Sequence, residues 1–184
     1  MIVISDLHIG AVRSAGTTPA SAKALRDHLL SSFKDLLNKA DEDVILNGDI
    51  LDGANIGMTD LLETYNSILN WLTKGYNLTV VVGNHDLYTD TSKLSSLQFM
   101  AELLVKEPNV TYVSGGTRLN DEIYIISHVP NQDCLNLELS KVPACKYLLL
   151  HCNYDNPFSN HLDNSLDLSE QQAKDCKAEY IVLG

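Results

Sequence analysis

Basic residues are scarce in this chain: 13 lysines and arginines stand against 24 aspartates and glutamates, a formal net charge of −11 over 184 residues. A surface of that sign does not suit indiscriminate binding of duplex DNA, which draws its affinity from neutralising phosphates. The four cysteines, Cys134, Cys145, Cys152 and Cys176, include no Cys-x-x-Cys pair. That argues against a structural zinc knuckle and for reduced thiols in a cytosolic protein. No apolar run approaches the roughly 20 residues of a membrane span. The first strand candidate begins at residue 2, with no charged leader or cleavage site ahead of it. A cytoplasmic address without membrane attachment is therefore expected. Repeats, low-complexity tracts and linkers are lacking as well, so residues 1–184 read as one domain with a sizeable core. The surplus acids keep such a protein soluble. Some of them also suit divalent cations, two of which would bring four positive charges to a site.

Against these absences stands a regular pattern of short apolar runs. Strands are expected at Ile2–Ser5, Asp43–Asn47, Leu78–Val82, Val110–Val113, Glu122–Ser127, Lys146–Leu150 and Glu179–Leu183. Their runs are nearly continuous, as in strands covered on both faces. Helices fall between the early ones. The first spans about Pro19 to Lys39, with Thr18 as N-cap and proline at the first helical position. The second runs from about Asp60 to Lys74, capped by Thr59 and stopped by Gly75. A third covers about Ser92 to Lys106, and a last one about Ser169 to Lys177. This alternation predicts parallel βαβ units with right-handed crossovers. After Pro108 the chain turns strand-rich, which predicts an antiparallel or mixed second sheet. The polar stretch from His151 to Leu168 reads as a long loop, a length that usually carries function or mobility.

Chemistry gathers where the strands end. Asp6 and His8 follow the first strand at a spacing that puts carboxylate and imidazole on one side. Gly48 precedes Asp49 at the second strand end and permits a sharp turn, where a carboxylate can bridge two cations. At the third, Gly83 frees the turn before Asn84, a neutral oxygen donor, and the His85-Asp86 pair suggests a carboxylate-oriented histidine. A later apolar strand ends in His151. Each residue alone has a plainer reading, Asp49 as a helix cap or His151 as a satisfied histidine. Asp52 reads as a turn former or a residue behind the ligands. Together, each at a strand terminus, they form a donor set suited to Mn²⁺, Fe²⁺ or Zn²⁺, since a pure oxygen set would favour Mg²⁺ or Ca²⁺.

In kind and order, Asp6-x-His8, Gly48-Asp49-x-x-Asp52, Gly83-Asn84-His85-Asp86 and His151 resemble the calcineurin-like metallophosphoesterase family over nearly the whole chain. The resemblance implies an α/β fold, a four-layer α/β/β/α sandwich of two mixed sheets with the site at the strand ends between them. It implies that Asp6 and His8 bind one metal, that Asp49 bridges two, and that Asn84 and His151 bind the second. His85 would donate a proton to the leaving group, held by Asp86, while a bridging hydroxide attacks phosphorus in line. The family then closes with Gly-His-x-His after a further strand. Here Tyr180-Ile181-Val182-Leu183-Gly184 matches that strand and its glycine, and the sequence stops. The last strands and two ligands are thus expected to be missing, with His161 in the polar loop no substitute. A chain so truncated should hold metals weakly.

Within the family, Ser5-Asp6-Leu7-His8-Ile9-Gly10 with Gly48-Asp49-Ile50-Leu51-Asp52 looks most like the DNA-repair exonuclease branch, the nuclease partner of an SMC-like ATPase. The Asp-x-His-x-Gly run and Gly-Asn-His-Asp favour it over the lipid-precursor pyrophosphatases. The expected function is a Mn²⁺-dependent DNA nuclease, with DNA, such an ATPase subunit and a second copy of the chain as partners. Acidity favours the alternative, a small-molecule phosphodiesterase or phosphatase. A non-catalytic scaffold is the third reading, opposed by the intact motifs. Arg13 is a candidate phosphate contact, though a lone arginine more often decorates the surface. His128 follows an apolar strand and reads as a turn histidine, with a substrate-facing role as the alternative.

Overall fold

The computed structural model describes residues 1–11, 18–90, 92–156 and 166–184. Its first sheet joins β1 (Ile2–Ile4), β2 (Val44–Asn47), β3 (Leu78–Val81) and β4 (Val110–Val113) in that order, parallel at every pairing. Helices α1 (Pro19–Lys39), α2 (Met58–Leu72) and α3 (Ser96–Leu104) make the crossovers. The second sheet has the order β10-β7-β6-β5, with β5 (Gly116–Arg118), β6 (Ile123–Ile126), β7 (Cys145–Leu150) and β10 (Ala178–Leu183). Here β5 runs antiparallel to β6 and the other pairs are parallel. Two mixed sheets were expected. The first is wholly parallel, because each of its strands is reached through a helix, and only the second is mixed.

The period-2 alternation of strand side chains builds four layers. On β2 and β3, Val44, Leu46, Leu78 and Val80 join the cluster that packs under α1, α2 and α3. Their neighbours Ile45 and Val81 face the other way, where they meet Ile123, Ile125 and Leu149 of the second sheet. On the far side, Tyr124, Ile126, Leu148 and Leu150 pack with Leu135, Leu139 and Ala173 of the outer helices. The α/β/β/α sandwich follows from three apolar clusters sharing two sheets. Trp71 ties the outer layer together, its indole N–H donating to the Ala40 carbonyl just past α1.

Local signals explain most boundaries. Thr18 caps α1 as expected, its hydroxyl accepting from the Ser21 amide. Helix α2 starts earlier than expected, with Gly57 and not Thr59 at the N-cap. Helix α3 starts later, at a capping box in which Ser95 and Gln98 satisfy each other's amides. Helix α4 (Gln132–Lys141), between β6 and β7, was not expected. Its apolar stripe is thin, with Leu135 its only fully buried residue. The stretch after Pro108 therefore continues as β-α-β and is not simply strand-rich. Beyond β7, the expected loop holds a small parallel ladder of β8 (Asn153–Tyr154) and β9 (Asp167–Leu168) before α5 (Glu170–Asp175).

Candidate metal centre

All the expected ligands leave from the C-terminal ends of β1, β2, β3 and β7. The first two turns are laced side by side. Asp6 N–H donates to Gly48 O, His8 N–H to Asp49 O, and Asp52 N–H to Ile9 O, at 3.0–3.2 Å. Lacing forces unusual backbone: Asp6, His8 and Asp49 have φ of 55°, 45° and 48°. Left-handed conformations cost a non-glycine residue free energy and persist only where surrounding bonds impose them.

Two glycines make room for the third and fourth turns. A Cβ on Gly83 would lie 2.2 Å from both the amide nitrogen and Oδ1 of Asp49, and one on Gly48 would lie 2.3 Å from His151 Nδ1. Asp86 organises this turn from beneath. Fully buried, it accepts from the amides of Gly83 at 2.9 Å, Leu51 at 3.0 Å and Ile50 at 3.4 Å. Burial pushes its pKa up to about 6 against the pull of those donors. The expectation that Asp86 holds His85 is thereby corrected, since its oxygens are turned to the backbone. His85 Nδ1 instead lies 3.3 Å from the carbonyl oxygen of Asp52.

Around Asp49 the donors fall into two groups. Asp6, His8 and Asp49 bring ligand atoms within 4.8 Å of one another. On the other side, Asp49 Oδ1 is 3.2 Å from His151 Nε2, which is 3.0 Å from Asn84 Oδ1. Asp49 Oδ2 meanwhile faces His8 Nε2 and His85 Nε2, each at 3.9 Å. The His151 ring is aimed by its other nitrogen, 3.1 Å from the Asn47 carbonyl. Burial opposes charge on both partners, yet their hydrogen bond and mutual attraction lower the Asp49 pKa and raise that of His151. His151 Nε2 thus points at two oxygens, Asp49 Oδ1 and Asn84 Oδ1, which with it form a three-atom donor group. Carboxylate, carboxamide and imidazole in this arrangement fit divalent metal ions. All six residues line one cavity of about 190 Å³.

The calcineurin-like phosphoesterase family model matches residues 1–181. The chain belongs to that family. No curated protein matches it.

Calcineurin-like phosphoesterases typically hold a dinuclear metal centre, and the two donor groups sharing Asp49 fit one here. Three more residues of this phosphoesterase bear on the site. Asp52 Oδ1 lies 3.4 Å from His8 Nδ1, and Asp52 forms a second potential metal cluster with His8 and His85. His128 is largely buried, and burial with the nearby His151 brings its pKa down to about 4. Its amide donates to Val82 O across the two sheets, while its buried Nδ1 has no hydrogen-bond partner. Asn153 lines the cavity and was missed, because an asparagine in a polar stretch carries no signal by itself. Cys152, next to His151, packs its side chain in the outer apolar cluster, and burial lifts its thiol to about 12, which removes it as a ligand. The candidate roles of Arg13 and His161 lie outside the described residues. No helix among the described residues is long and apolar enough to cross a membrane.

Proposed function

We propose that this calcineurin-like phosphoesterase is a phosphodiester hydrolase that cleaves DNA, with Mn²⁺ as its preferred cation and Fe²⁺ or Zn²⁺ as substitutes. Asp6, His8 and Asp49 would hold one cation; Asp49, Asn84 and His151 would hold the other. The observation that carries the reading is Asp49, whose two oxygens face two separate donor groups. When bound, such ions lower the pKa of water towards neutrality and offset charge on phosphoryl oxygens.

The remaining work belongs to side chains. His85 donates from Nδ1 to the Asp52 carbonyl, which leaves Nε2 on the cavity side. In its imidazolium form the ring passes the Nε2 proton to the leaving oxygen and returns to the neutral Nδ1–H tautomer. Asp86 acts at one remove, by shaping the turn that presents Asn84 and His85. Gly83 brings that turn against Asp49, and His85 N–H donates to Asp49 Oδ1 at 3.0 Å. Asp49 therefore reaches the cavity with one oxygen already oriented.

DNA as substrate, with an SMC-like ATPase or a second copy as partner, rests on the Ser5-to-Gly10 and Gly83-to-Asp86 motifs. A small phosphodiester is the second reading. It is favoured by a cavity whose lining, among the described residues, has no lysine or arginine. Assaying the Mn²⁺-loaded protein on single- and double-stranded DNA beside bis-p-nitrophenyl phosphate separates them. Cleavage of all three, abolished by Asp49→Asn, is expected. Cleavage of the chromogenic ester alone would select the small-molecule reading, and full activity of Asp49→Asn would overturn the dinuclear assignment.

A further inference from the structure

Asn153 stands on the cavity wall two residues past His151. Its backbone is held: the amide donates to Leu166 O at 2.8 Å, and the residue pairs with Asp167 in the β8–β9 ladder. Cys152 before it turns its side chain into the apolar cluster behind the second sheet. Neighbours on extended chain point to opposite sides, so Asn153 turns towards the cavity. It is half-buried, and no described residue hydrogen-bonds its carboxamide. Asn84 differs, with its side-chain oxygen engaged with His151. The Asn153 carboxamide, bonded to no described residue, is open to hydrogen-bond whatever fills the cavity.

The charge of the wall selects that occupant. Among the described residues it carries Asp6, Asp49 and three histidines, and no lysine or arginine. Two divalent cations against two carboxylates leave a modest positive surplus. That surplus draws a phosphoryl anion, and the phosphodiesterase reading makes that anion a diester. We propose that Asn153 is a substrate-contacting residue whose carboxamide NH₂ donates to a non-bridging oxygen of a phosphodiester monoanion and so fixes the ester's orientation. This assignment rests on the phosphodiesterase reading above.

Dimethyl phosphate is a suitable probe, because its binding to the Mn²⁺-loaded protein is read from ³¹P relaxation without turnover. Asn153→Ala is expected to bind Mn²⁺ as the wild type does by calorimetry, while its affinity for dimethyl phosphate falls about tenfold. With bis-p-nitrophenyl phosphate the loss should appear in KM, with kcat little changed. Asn153→Asp keeps the shape and adds a negative charge, so it should lose more diester affinity than the alanine variant. Wild-type diester binding with both variants unchanged overturns the assignment alone. Lost Mn²⁺ affinity in Asn153→Ala also overturns it, and makes the residue a ligand or a structural support. A wild type that binds no diester overturns the phosphodiesterase reading and this assignment with it.

Discussion

Asp49 and His151 depend on each other for their ionisation, and neither is placed by its own chain neighbours. The carboxylate is 4% exposed and the imidazole 6%. Burial of that degree disfavours charge on either group; their short contact reverses the outcome, helped by His85 at Asp49 and by the Asn47 carbonyl and Asp6 at His151. His85 sits in the same cavity with its Nδ1 turned to the Asp52 carbonyl, away from the buried Asp49–His151 contact. His85→Ala should therefore leave Mn²⁺ binding by calorimetry intact and slow hydrolysis of an ester with a poor leaving group by about 10²–10⁴-fold. An unchanged rate would reassign this histidine. His128 makes a separate prediction about stability. A free histidine titrates near 6.5 and His128 near 4, so above about pH 6.5 the ring is neutral in folded and unfolded chains alike. As pH falls, the unfolded chain takes up the proton first, and the stability held at neutral pH is lost towards pH 4. Denaturant titrations in EDTA at pH 7.5 and 5.0 should show the wild type losing about 2 kcal/mol more than His128→Gln. Equal losses would mean that His128 ionises freely in the fold.

At the scale of the element, the turns after β1, β2 and β3 behave as one unit. Their backbones are cross-bonded, and Asp86 satisfies three amides from two of them. Gly83 shows how little room this leaves. Gly83→Ala would drive a methyl group into the Asp49 backbone and carboxylate. The expected result is a loss of about 1–3 kcal/mol in thermal unfolding, as for overpacking elsewhere. Mn²⁺ affinity should fall by more than the 10–100-fold typical of residues behind a ligand. Ordinary Mn²⁺ binding by this variant would show that the turn can retreat. Legibility varied among the helices for related reasons. Helix α1 was readable to its ends because threonine and proline mark its start, and Leu30, Phe33 and Leu37 bury one face at helical spacing. In α3 the deciding signal, Ser95 three residues before Gln98, was present, but the start was expected at Ser92, three residues ahead of the Ser95 cap. Helix α4 has an N-cap, Asn131, whose side chain accepts from the Cys134 amide, yet almost no buried face to announce it.

For the whole molecule, the inter-sheet cluster decides whether the site exists at all. Ile45, Val81, Ile125 and Leu149 join the sheet that carries Asp6, Asp49 and Asn84 to the one that carries His151. Leu149 is 1% exposed and two residues from that histidine. Leu149→Ala should cost about 2–5 kcal/mol. In a chain of this size that corresponds to a fall in Tm of roughly 5–15 °C in calorimetry. A shift under 2 °C would mean that the sheets close the gap. Acidity also acts at this scale. The −11 charge is spread along the sequence, while the cavity concentrates two carboxylates and three histidines where four strand ends meet.

The sequence alone determined the chemistry, because a ligand's type and its place after an apolar strand are both local. Asp6, His8, Asp49, Asn84, His85 and His151 were legible on that basis, and the structure gathers all six around one cavity. The tertiary structure decided how they are supported. Asp86 turns from its neighbour His85 to amides more than 30 residues away, and Asp52 orients His85 through a backbone carbonyl that has no side-chain signature. Asn153 lies on the wall with its backbone held by a two-residue ladder against Asp167, a pairing across residues distant in sequence. Such contacts depend on which strands lie adjacent, and strand order is set by packing two sheets through a shared core, not by the local run of residues.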